Sequence, residues 1–213
     1  MSYLFEILPS LLSGARMTLQ VFAVVLIFSI PLGVLIAFAL QVHWKLLHHL
    51  INIYIWIMRG TPLLLQLIFI YYVLPSIGIR LDRLPAAIIA FVLNYAAYFA
   101  EIFRGGIDTI PKGQYEAAKV LKFSSFDTVR YIILPQVTKI VLPSVFNEVM
   151  SLVKDTSLVY ALGISDLILA SRTAANRDAS LVPMFFAGAI YLTLIGIVTI
   201  ISKKVEKKYG YYR

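Results

Sequence analysis

Long stretches without a charged side chain restrict the fold of this chain more than any other feature of its sequence. The longest includes Met17 to Val42, with no Asp, Glu, Lys or Arg, whereas about 20 apolar residues suffice to cross a bilayer as a helix. Of the 213 residues, 60% are hydrophobic and 14% are charged, and soluble domains have about 25% charged residues. Because lipid cannot satisfy backbone polar groups, such stretches are expected to be helical. The sequence predicts an all-α polytopic membrane protein.

Five apolar segments predict five transmembrane helices within a single domain, residues 1–213. The expected spans are residues 17–42, 50–75, 84–103, 137–157 and 183–202. Residues 1–15 have an amphipathic pattern and are expected at the membrane surface. Residues 158–170 are too short to cross and predict a re-entrant or surface hairpin, followed by a polar loop at 172–180. Between the third and fourth spans lies a long polar loop, residues 104–136.

The positive charges predict how the chain is oriented. One side of the membrane would hold Lys45, Arg104, Lys112, Lys119, Lys122, Arg130, Lys203, Lys204, Lys207, Lys208 and Arg213. The other side would hold only Arg16, Arg80, Arg83, Arg172 and Arg177. Because Lys and Arg collect in cytoplasmic loops, we expect the N-terminus outside and the C-terminus in the cytoplasm. The net charge of +8 therefore indicates membrane topology and not nucleic-acid binding.

Metal and thiol chemistry find little support in the sequence. The chain has no cysteine, which excludes disulfides, thiolate metal sites and a cysteine nucleophile. His43, His48 and His49 lie close together, but no carboxylate is near enough in the sequence to complete a metal site. We interpret this segment as a loop and expect no metal site.

The sequence Arg59-Gly60-Thr61-Pro62 predicts a break within the second span. Threonine at an N-cap followed by proline is a helix-start signature. A helix from Pro62 to about Leu74 would be about 20 Å long, too short to span alone. Transporters place ligand groups at such discontinuities. The alternative is a kinked span in which Arg59 extends to the lipid interface.

Polar side chains inside the third and fourth spans are candidates for a transport pathway. Asn94, Tyr98 and Glu101 are spaced for one helix face. Glu148 and Asp155 lie within the predicted fourth span. Ionisable groups at this depth usually face a bundle interior or a watery cavity.

The loop 104–136 carries two helix-start signals. Pro111 follows a polar Asp-Thr pair and predicts a helix over Lys112–Leu121. Ser124 with Asp127 resembles a capping box, which predicts a second helix that Pro135 ends. We expect two short helices on the membrane face, whose role could be limited to capping the bundle.

Glu116-Ala117-Ala118, followed by Ile132-x-Leu134-Pro135, resembles the EAA loop of permease subunits of bacterial ABC importers. Further motifs resemble the polar amino-acid permeases of that superfamily (histidine, glutamate, glutamine or arginine type): RGTPLLLQL at 59–67, NYAAYFAEIFRGGI at 94–107, PKGQYEAAKVL at 111–121, ILPQ at 133–136 and KDTSL at 154–158. The resemblance covers about residues 10–208. One departure is Lys122, where the family has a glycine that permits a positive-φ turn.

The resemblance implies the type I ABC importer permease fold with a two-helix cytoplasmic coupling loop, in a bacterial cytoplasmic membrane. Contacts with the ATPase would come from Gln114, Glu116, Ala117, Ala118, Leu121 and Lys122. A dimer of separate ATPase subunits would bind ATP and Mg, because no GxxxxGK[ST] motif occurs in this chain. The chain is then not an enzyme, has no catalytic residues and binds no cofactor. Further expected partners are a second permease chain, identical or homologous, an extracytoplasmic substrate-binding protein and membrane lipid.

The predicted substrate site combines this resemblance with the polar residues at depth. Its candidates are Arg59, Thr61, Asn94, Tyr98, Glu101, Glu148, Asp155 and Ser157. Lys154 and Asp155 are also a candidate gate, or a structural pair with each other. The carboxylates predict a basic amino acid as substrate. The alternative function is an ion- or proton-coupled secondary amino-acid transporter, which would also carry intramembrane carboxylates but would not need the EAA-like loop.

Overall fold

The computed structural model describes residues 2–209, which form helices and turns with no β-strand in that range. Arg213, one of the charges assigned to the cytoplasmic tail, lies outside these residues. Four helices are long and apolar enough to cross a membrane, and a bent helix pair makes a fifth span if it counts as one. The predicted five-span, all-α class is confirmed.

The first helix, α1 (Ser2–Ala39), is continuous over 38 residues, about 57 Å at 1.5 Å per residue. The prediction of a separate surface segment at 1–15 is therefore wrong. Ile7 and Leu11, which gave that segment its amphipathic pattern, are buried against other helices of the chain. A Cβ on Gly14 would lie 2.7 Å from the main-chain oxygen of Asp166. The apolar face of residues 1–15, which predicted a segment on the membrane surface, is instead packed against other helices of the chain.

The second span consists of α2 (Lys45–Gly60) and a shorter helix, α3 (Leu63–Ile68), which continues as a π turn (Phe69–Val73) and a 3-10 turn (Leu74–Ile77). The two parts meet at 108°. The predicted break is present, but Thr61 does not cap α3. Its hydroxyl donates to the Ile57 carbonyl at the end of α2, and Pro62 occupies the N-cap position of α3.

Helix α4 (Arg83–Asp108) is the central helix of the fold and the most buried of the spans. Alanines along it let neighbouring helices approach closely, as small residues do in membrane bundles. α1 and α4 approach closely at Gly33, where a Cβ would lie 2.5 Å from the Phe99 Cβ. α4 extends five residues beyond its predicted end and includes the first part of the loop 104–136.

The coupling segment begins with α5 (Lys112–Val120), close to the predicted limits. The predicted capping box is also present, because Ser124 Oγ accepts from the Asp127 N–H at 3.0 Å. The second predicted helix, however, does not end at Pro135. It runs from α6 (Ser125–Asp127) through a π turn (Thr128–Ile133) directly into α7 (Leu134–Asp155). The wider π turn accommodates the proline, which lacks an N–H.

After α7, a 3-10 turn (Thr156–Leu162) and Gly163, with φ 71°, reverse the chain. Helix α8 (Leu167–Arg177) follows, with the Asp166 side chain capping its first N–H groups. The predicted polar loop at 172–180 is therefore mostly helix. The last helix is α9 (Val182–Tyr209).

Candidate functional site

A cleft of about 440 Å³ opens at the break between α2 and α3. Its walls come from three parts of the chain: the start of α3, the middle of α4 and the C-terminal end of α7 with the turn that follows. The lining residues are Thr61, Pro62, Leu63, Leu64, Asn94, Tyr95, Tyr98, Glu148, Ser151, Asp155 and Leu158. Polar side chains from α4 and α7 thus face an apolar wall.

Side-chain hydrogen bonds fix the helix break beside this cleft. Pro62 has no N–H to donate to the Met58 carbonyl four residues earlier. Two amides replace it: Asn94 Nδ2 donates to the Met58 oxygen at 2.8 Å, and Gln66 Nε2 donates to it at 3.0 Å. Asn94 also donates to Gln66 Oε1 at 3.0 Å. These amides satisfy the Met58 carbonyl, and the Thr61 hydroxyl satisfies the Ile57 carbonyl, which the end of a helix otherwise leaves unpaired.

Two carboxylates give the cleft its charge. Asp155 accepts a hydrogen bond from the Tyr95 hydroxyl at 2.7 Å, and Tyr95 is 2% exposed. Glu148 is half-buried two turns earlier on α7 and has no ion-pair partner among residues 2–209. An uncompensated carboxylate in a partly buried cleft favours binding of a cationic or ammonium-bearing ligand.

Two predicted site residues bind each other and do not line the cleft. Arg59 contacts Glu101 at 3.2 Å, and Glu101 also accepts two hydrogen bonds from Arg104, each 2.9 Å long. The Arg59 guanidinium lies 5.2 Å from the centre of the Tyr98 ring, within the range of a cation–π contact. Arg59 therefore lies next to the cleft, and its charge is compensated by Glu101.

The structure brings together five of the eight predicted substrate residues: Thr61, Asn94, Tyr98, Glu148 and Asp155. Ser157 does not line the cleft. Lys154 is exposed, and no ion pair between it and Asp155 is present within the part of the chain that the structure describes. Adjacent helical side chains point in different directions, so the structure does not show the two as a pair, and their role as a gate stays a prediction.

Three residues of this region were missed by sequence reasoning. Ser151 was predictable, since it lies between Glu148 and Asp155 at the spacing of one helix face. Gln66 was the only amide in an apolar stretch and gave a weak signal. Tyr95 gave none, because tyrosine is ordinary in a span and only the tertiary contact shows that it binds Asp155.

The coupling residues divide between two faces of α5. Glu116, Ala117 and Leu121 are exposed, whereas Ala118 is 1% exposed. Gln114 faces inward and exchanges two hydrogen bonds, 2.9 and 2.6 Å, with Gln136 at the start of α7. The structure thus ties α5 to α7 and leaves an exposed patch on the opposite face.

Lys122 adopts φ 60° at the end of α5. Its N–H donates to the Lys119 carbonyl, and the next N–H, of Phe123, donates to the Ala118 carbonyl, each at 3.0 Å. This is the Schellman pattern, which normally places glycine at the left-handed position. The turn that a glycine would permit is formed here with lysine in its place.

The three histidines border a second cleft, of about 540 Å³, between α1 and α2. His48 Nδ1 lies 2.8 Å from Asn52 Nδ2. Among the described residues, no group of three His, Cys, Asp or Glu side chains is arranged to hold a metal ion.

Comparison with known proteins identifies the family. Residues 29–211 match the family described as "Binding-protein-dependent transport system inner membrane component". The chain is 36% identical over 211 residues to a putative glutamine transport system permease protein of Rickettsia felis, covering 97% of each chain. It is also 36% identical over 203 residues to an arginine transport system permease protein of Bacillus subtilis, covering 94% of this chain and 93% of that one.

A solved structure described as an amino acid ABC transporter with histidines superimposes with a TM-score of 0.88 and 29% identity, covering 97% of both chains. The predicted type I importer fold is confirmed by this agreement. The chain therefore belongs to the family of inner membrane components of binding-protein-dependent transport systems, as a permease subunit that is not itself an enzyme.

Proposed function

We propose that this permease subunit carries a basic amino acid through the cleft at the α2–α3 break. The observation on which the proposal rests is the charge of the cleft. Its lining includes Glu148 and Asp155, and no Lys or Arg side chain is among the described lining residues. A cationic amino acid has two positive groups, and these carboxylates would compensate them. The names of the relatives, for arginine and for glutamine transport, support an amino acid as the substrate.

The break itself supports a site for the substrate carboxylate. The first N–H groups of a helix have no partner within the helix, and Pro62 and Leu63 place the start of α3 at the cleft. Such a helix start attracts anions. Asn94 and Tyr98 lie beside it. We therefore assign the substrate carboxylate to the start of α3 and its amino group to the α7 carboxylates.

ATP hydrolysis would be supplied by a separate ATPase dimer that binds ATP and Mg and docks on α5. The patch of Glu116, Ala117 and Leu121 is exposed, and the Gln114–Gln136 hydrogen bonds connect α5 to α7, which carries both cleft carboxylates. A displacement of α5 would thus reach the cleft along one helix. Five spans are few for a complete pathway, so a second permease chain, identical or homologous, would complete it, with an extracytoplasmic binding protein delivering the substrate.

Charge-selective uptake tests the substrate proposal. The permease is reconstituted with its ATPase in proteoliposomes, and uptake of labelled arginine and glutamine is measured for wild type, Glu148→Gln and Asp155→Asn. Loss of one carboxylate in a partly buried site is expected to lower arginine uptake by about tenfold or more. Glu6→Gln, far from the cleft in the sequence and exposed, is the matched control. Unchanged arginine uptake in both cleft variants contradicts the proposal.

The energy source distinguishes the ATP-driven importer from the alternative, an ion- or proton-coupled secondary transporter. We expect uptake to require ATP and to continue when a protonophore removes the proton gradient. Uptake driven by an ion gradient without ATP would favour the alternative.

Glu116→Lys tests the docking site. It is expected to abolish copurification of the ATPase and to leave membrane insertion intact, because the exposed Glu116 would pair with a basic group of the ATPase and a lysine would repel that group. Normal assembly of this variant would contradict the docking site.

The orientation is tested by labelling. The chain has no cysteine, so single cysteines report without background. Val120 is 81% exposed and Ile77 is 71% exposed, on opposite ends of the proposed topology. In intact cells, a membrane-impermeant maleimide is expected to label Ile77→Cys but not Val120→Cys. The proposed orientation has the N-terminus outside and the C-terminus in the cytoplasm. Labelling of Val120→Cys but not of Ile77→Cys would contradict it.

A further inference from the structure

Four charged side chains from two helices form a continuous series of ion pairs beside the cleft. Arg59, at the end of α2, contacts Glu101 at 3.2 Å. Arg104 binds Glu101 on the next turn of α4 at 2.9 Å, and Asp108 one turn further at 3.1 Å. Two positive and two negative groups balance each other, so the series adds no net charge to its surroundings.

Glu101 is the centre of this series. Its side chain is 21% exposed, whereas the side chains of Arg59 and Arg104 are 42% and 40% exposed. The bidentate contact from Arg104 fixes the orientation of the carboxylate, since paired guanidinium–carboxylate bonds are directional. Oε2, which accepts from Arg104, also contacts the Arg59 guanidinium at 3.2 Å. Arg104 thus orients the carboxylate that holds Arg59.

Arg59 is the cation closest to the cleft in this series. Its guanidinium lies over the ring of Tyr98, which lines the cleft. Arginine has a long side chain with several rotatable bonds. Without Glu101, this guanidinium would lose its carboxylate partner next to a cleft that Glu148 and Asp155 line.

We propose that Glu101 is a specificity-determining positioning residue, which keeps the cleft selective for cations by holding the Arg59 guanidinium out of it. The proposal rests on the proposed function in taking the cleft as the substrate pathway. Glu101 itself does not contact the substrate. When it is neutralised, Arg59 pairs with a cleft carboxylate, and the site loses its preference for positively charged ligands.

The first experiment measures the charge of the cleft without any transport. In the chain that lacks cysteine, Ser151→Cys places one thiol in the cleft. The rates of its modification by a positively charged and a negatively charged methanethiosulfonate are compared in the purified permease–ATPase complex. We expect Glu101→Gln to lower the cation-to-anion rate ratio by about tenfold. Adding Arg59→Gln is expected to restore the ratio, because the cation responsible is then absent.

Two further variants separate positioning from a general structural effect. Arg59→Gln alone is expected to keep the wild-type ratio, since Arg59 is already held outside the cleft. Glu101→Asp keeps the negative charge and is also expected to keep most of the ratio. A ratio lowered by about tenfold in an assembled Glu101→Asp complex would overturn the proposal. A lowered ratio in Glu101→Gln that Arg59→Gln does not restore overturns the proposal, as does an unchanged ratio in a correctly assembled Glu101→Gln complex.

The second experiment repeats the series with arginine and glutamine uptake in proteoliposomes. The arginine-to-glutamine ratio is expected to fall by about tenfold in Glu101→Gln and to recover in the double variant. If the wild type does not prefer arginine, the basic-substrate proposal fails, whereas the thiol-modification result still decides the role of Glu101. A parallel loss of both substrates, without recovery in the double variant, would assign Glu101 a purely structural role.

Discussion

Asn94 donates a hydrogen bond to the main-chain oxygen of Met58 at 2.8 Å, across the interface between α4 and α2. This carbonyl has no helical partner because Pro62 follows four residues later. Asn94 is 4% exposed, and its amide replaces the missing N–H. The sharp bend at the cleft is therefore stabilised by a side chain from another helix, together with Gln66.

The first prediction concerns this bend. Gln66→Met removes the second donor to the Met58 oxygen and the acceptor for Asn94 while keeping a similar volume. Leaving such groups unpaired is expected to cost about 1–3 kcal/mol of the free energy of unfolding. Thermal unfolding of the detergent-solubilised chain, followed by circular dichroism, measures it. Gln20→Met, at an exposed position, is the control. Equal melting temperatures for the two variants would show that the Gln66 amide does not stabilise the bend.

The second prediction compares adjacent glycines of α4. A Cβ on Gly106 would collide with the Val141 side chain of α7 and lie 3.1 Å from Val137 Cγ1, whereas a Cβ on Gly105 meets nothing within 4 Å. We expect Gly106→Ala to destabilise the chain by about 1–3 kcal/mol through overpacking. Gly105→Ala should be neutral or stabilising by up to about 1 kcal/mol, because alanine favours helix. The free energies of unfolding of the two variants are compared by unfolding them in increasing concentrations of a denaturing detergent. The same effect from both alanines would contradict close packing of α4 on α7 at Gly106.

The third prediction concerns the turn after α5. Lys122 has φ 60°, a conformation that costs a residue with a Cβ roughly 1–2 kcal/mol. Lys122→Gly should therefore stabilise the turn by about 1 kcal/mol. Hydrogen exchange at the Lys122 and Phe123 amides, which donate to Lys119 and Ala118, should slow accordingly. Lys119→Gly, inside the helix, is expected to accelerate exchange. Faster exchange in Lys122→Gly would exclude the left-handed turn.

The fourth prediction concerns the contact between the start of α1 and the end of α8. Asp178 receives a hydrogen bond from the Tyr3 hydroxyl at 2.7 Å and pairs with Arg177 at 2.6 Å. The Arg177 hydrogen bond first, and the Tyr3 bond second, lower the pKa of Asp178 to about 2. Because the folded pKa is below that of the unfolded chain, the stabilisation is fully present above about pH 4. It is lost as the pH falls through about 2.

Tyr3→Phe removes one of the two causes and is expected to raise the pKa of Asp178 toward its ordinary value. Carboxyl-carbon NMR of aspartate-labelled protein in nanodiscs follows the titration directly. Tyr209→Phe, at the other end of the chain, is the control. An Asp178 midpoint that does not move in Tyr3→Phe would show that the Tyr3 bond does not hold in solution.

At the helix ends, local sequence signals predicted where a helix begins better than where it stops. Ser124 caps the segment before α7 with the predicted hydrogen bond to Asp127, because capping depends on residues three positions apart. Pro135 was predicted to end that helix and does not. A proline removes one N–H, but whether the helix stops or passes through a π turn depends on what packs around it. The same distinction applies to residues 1–15, whose apolar face is covered by other helices of the chain and not by lipid.

For the candidate site, the sequence by itself determined which polar side chains lie at membrane depth, because the apolar runs fix the spans and a period of 3.6 residues fixes the helix face. It also determined the family, since the motifs on either side of the EAA-like loop occur in a fixed order. Tertiary structure alone decided which polar groups pair. Arg59 and Glu101 were both expected at the substrate and instead bind each other, and Asp155 is bound by Tyr95 and not by Lys154. The physical reason is that spacing along a helix defines only the direction of a side chain. A partner is defined by a distance of about 3 Å between donor and acceptor atoms on different helices. That distance depends on how closely Gly33 and the alanines of α4 allow the helices to pack.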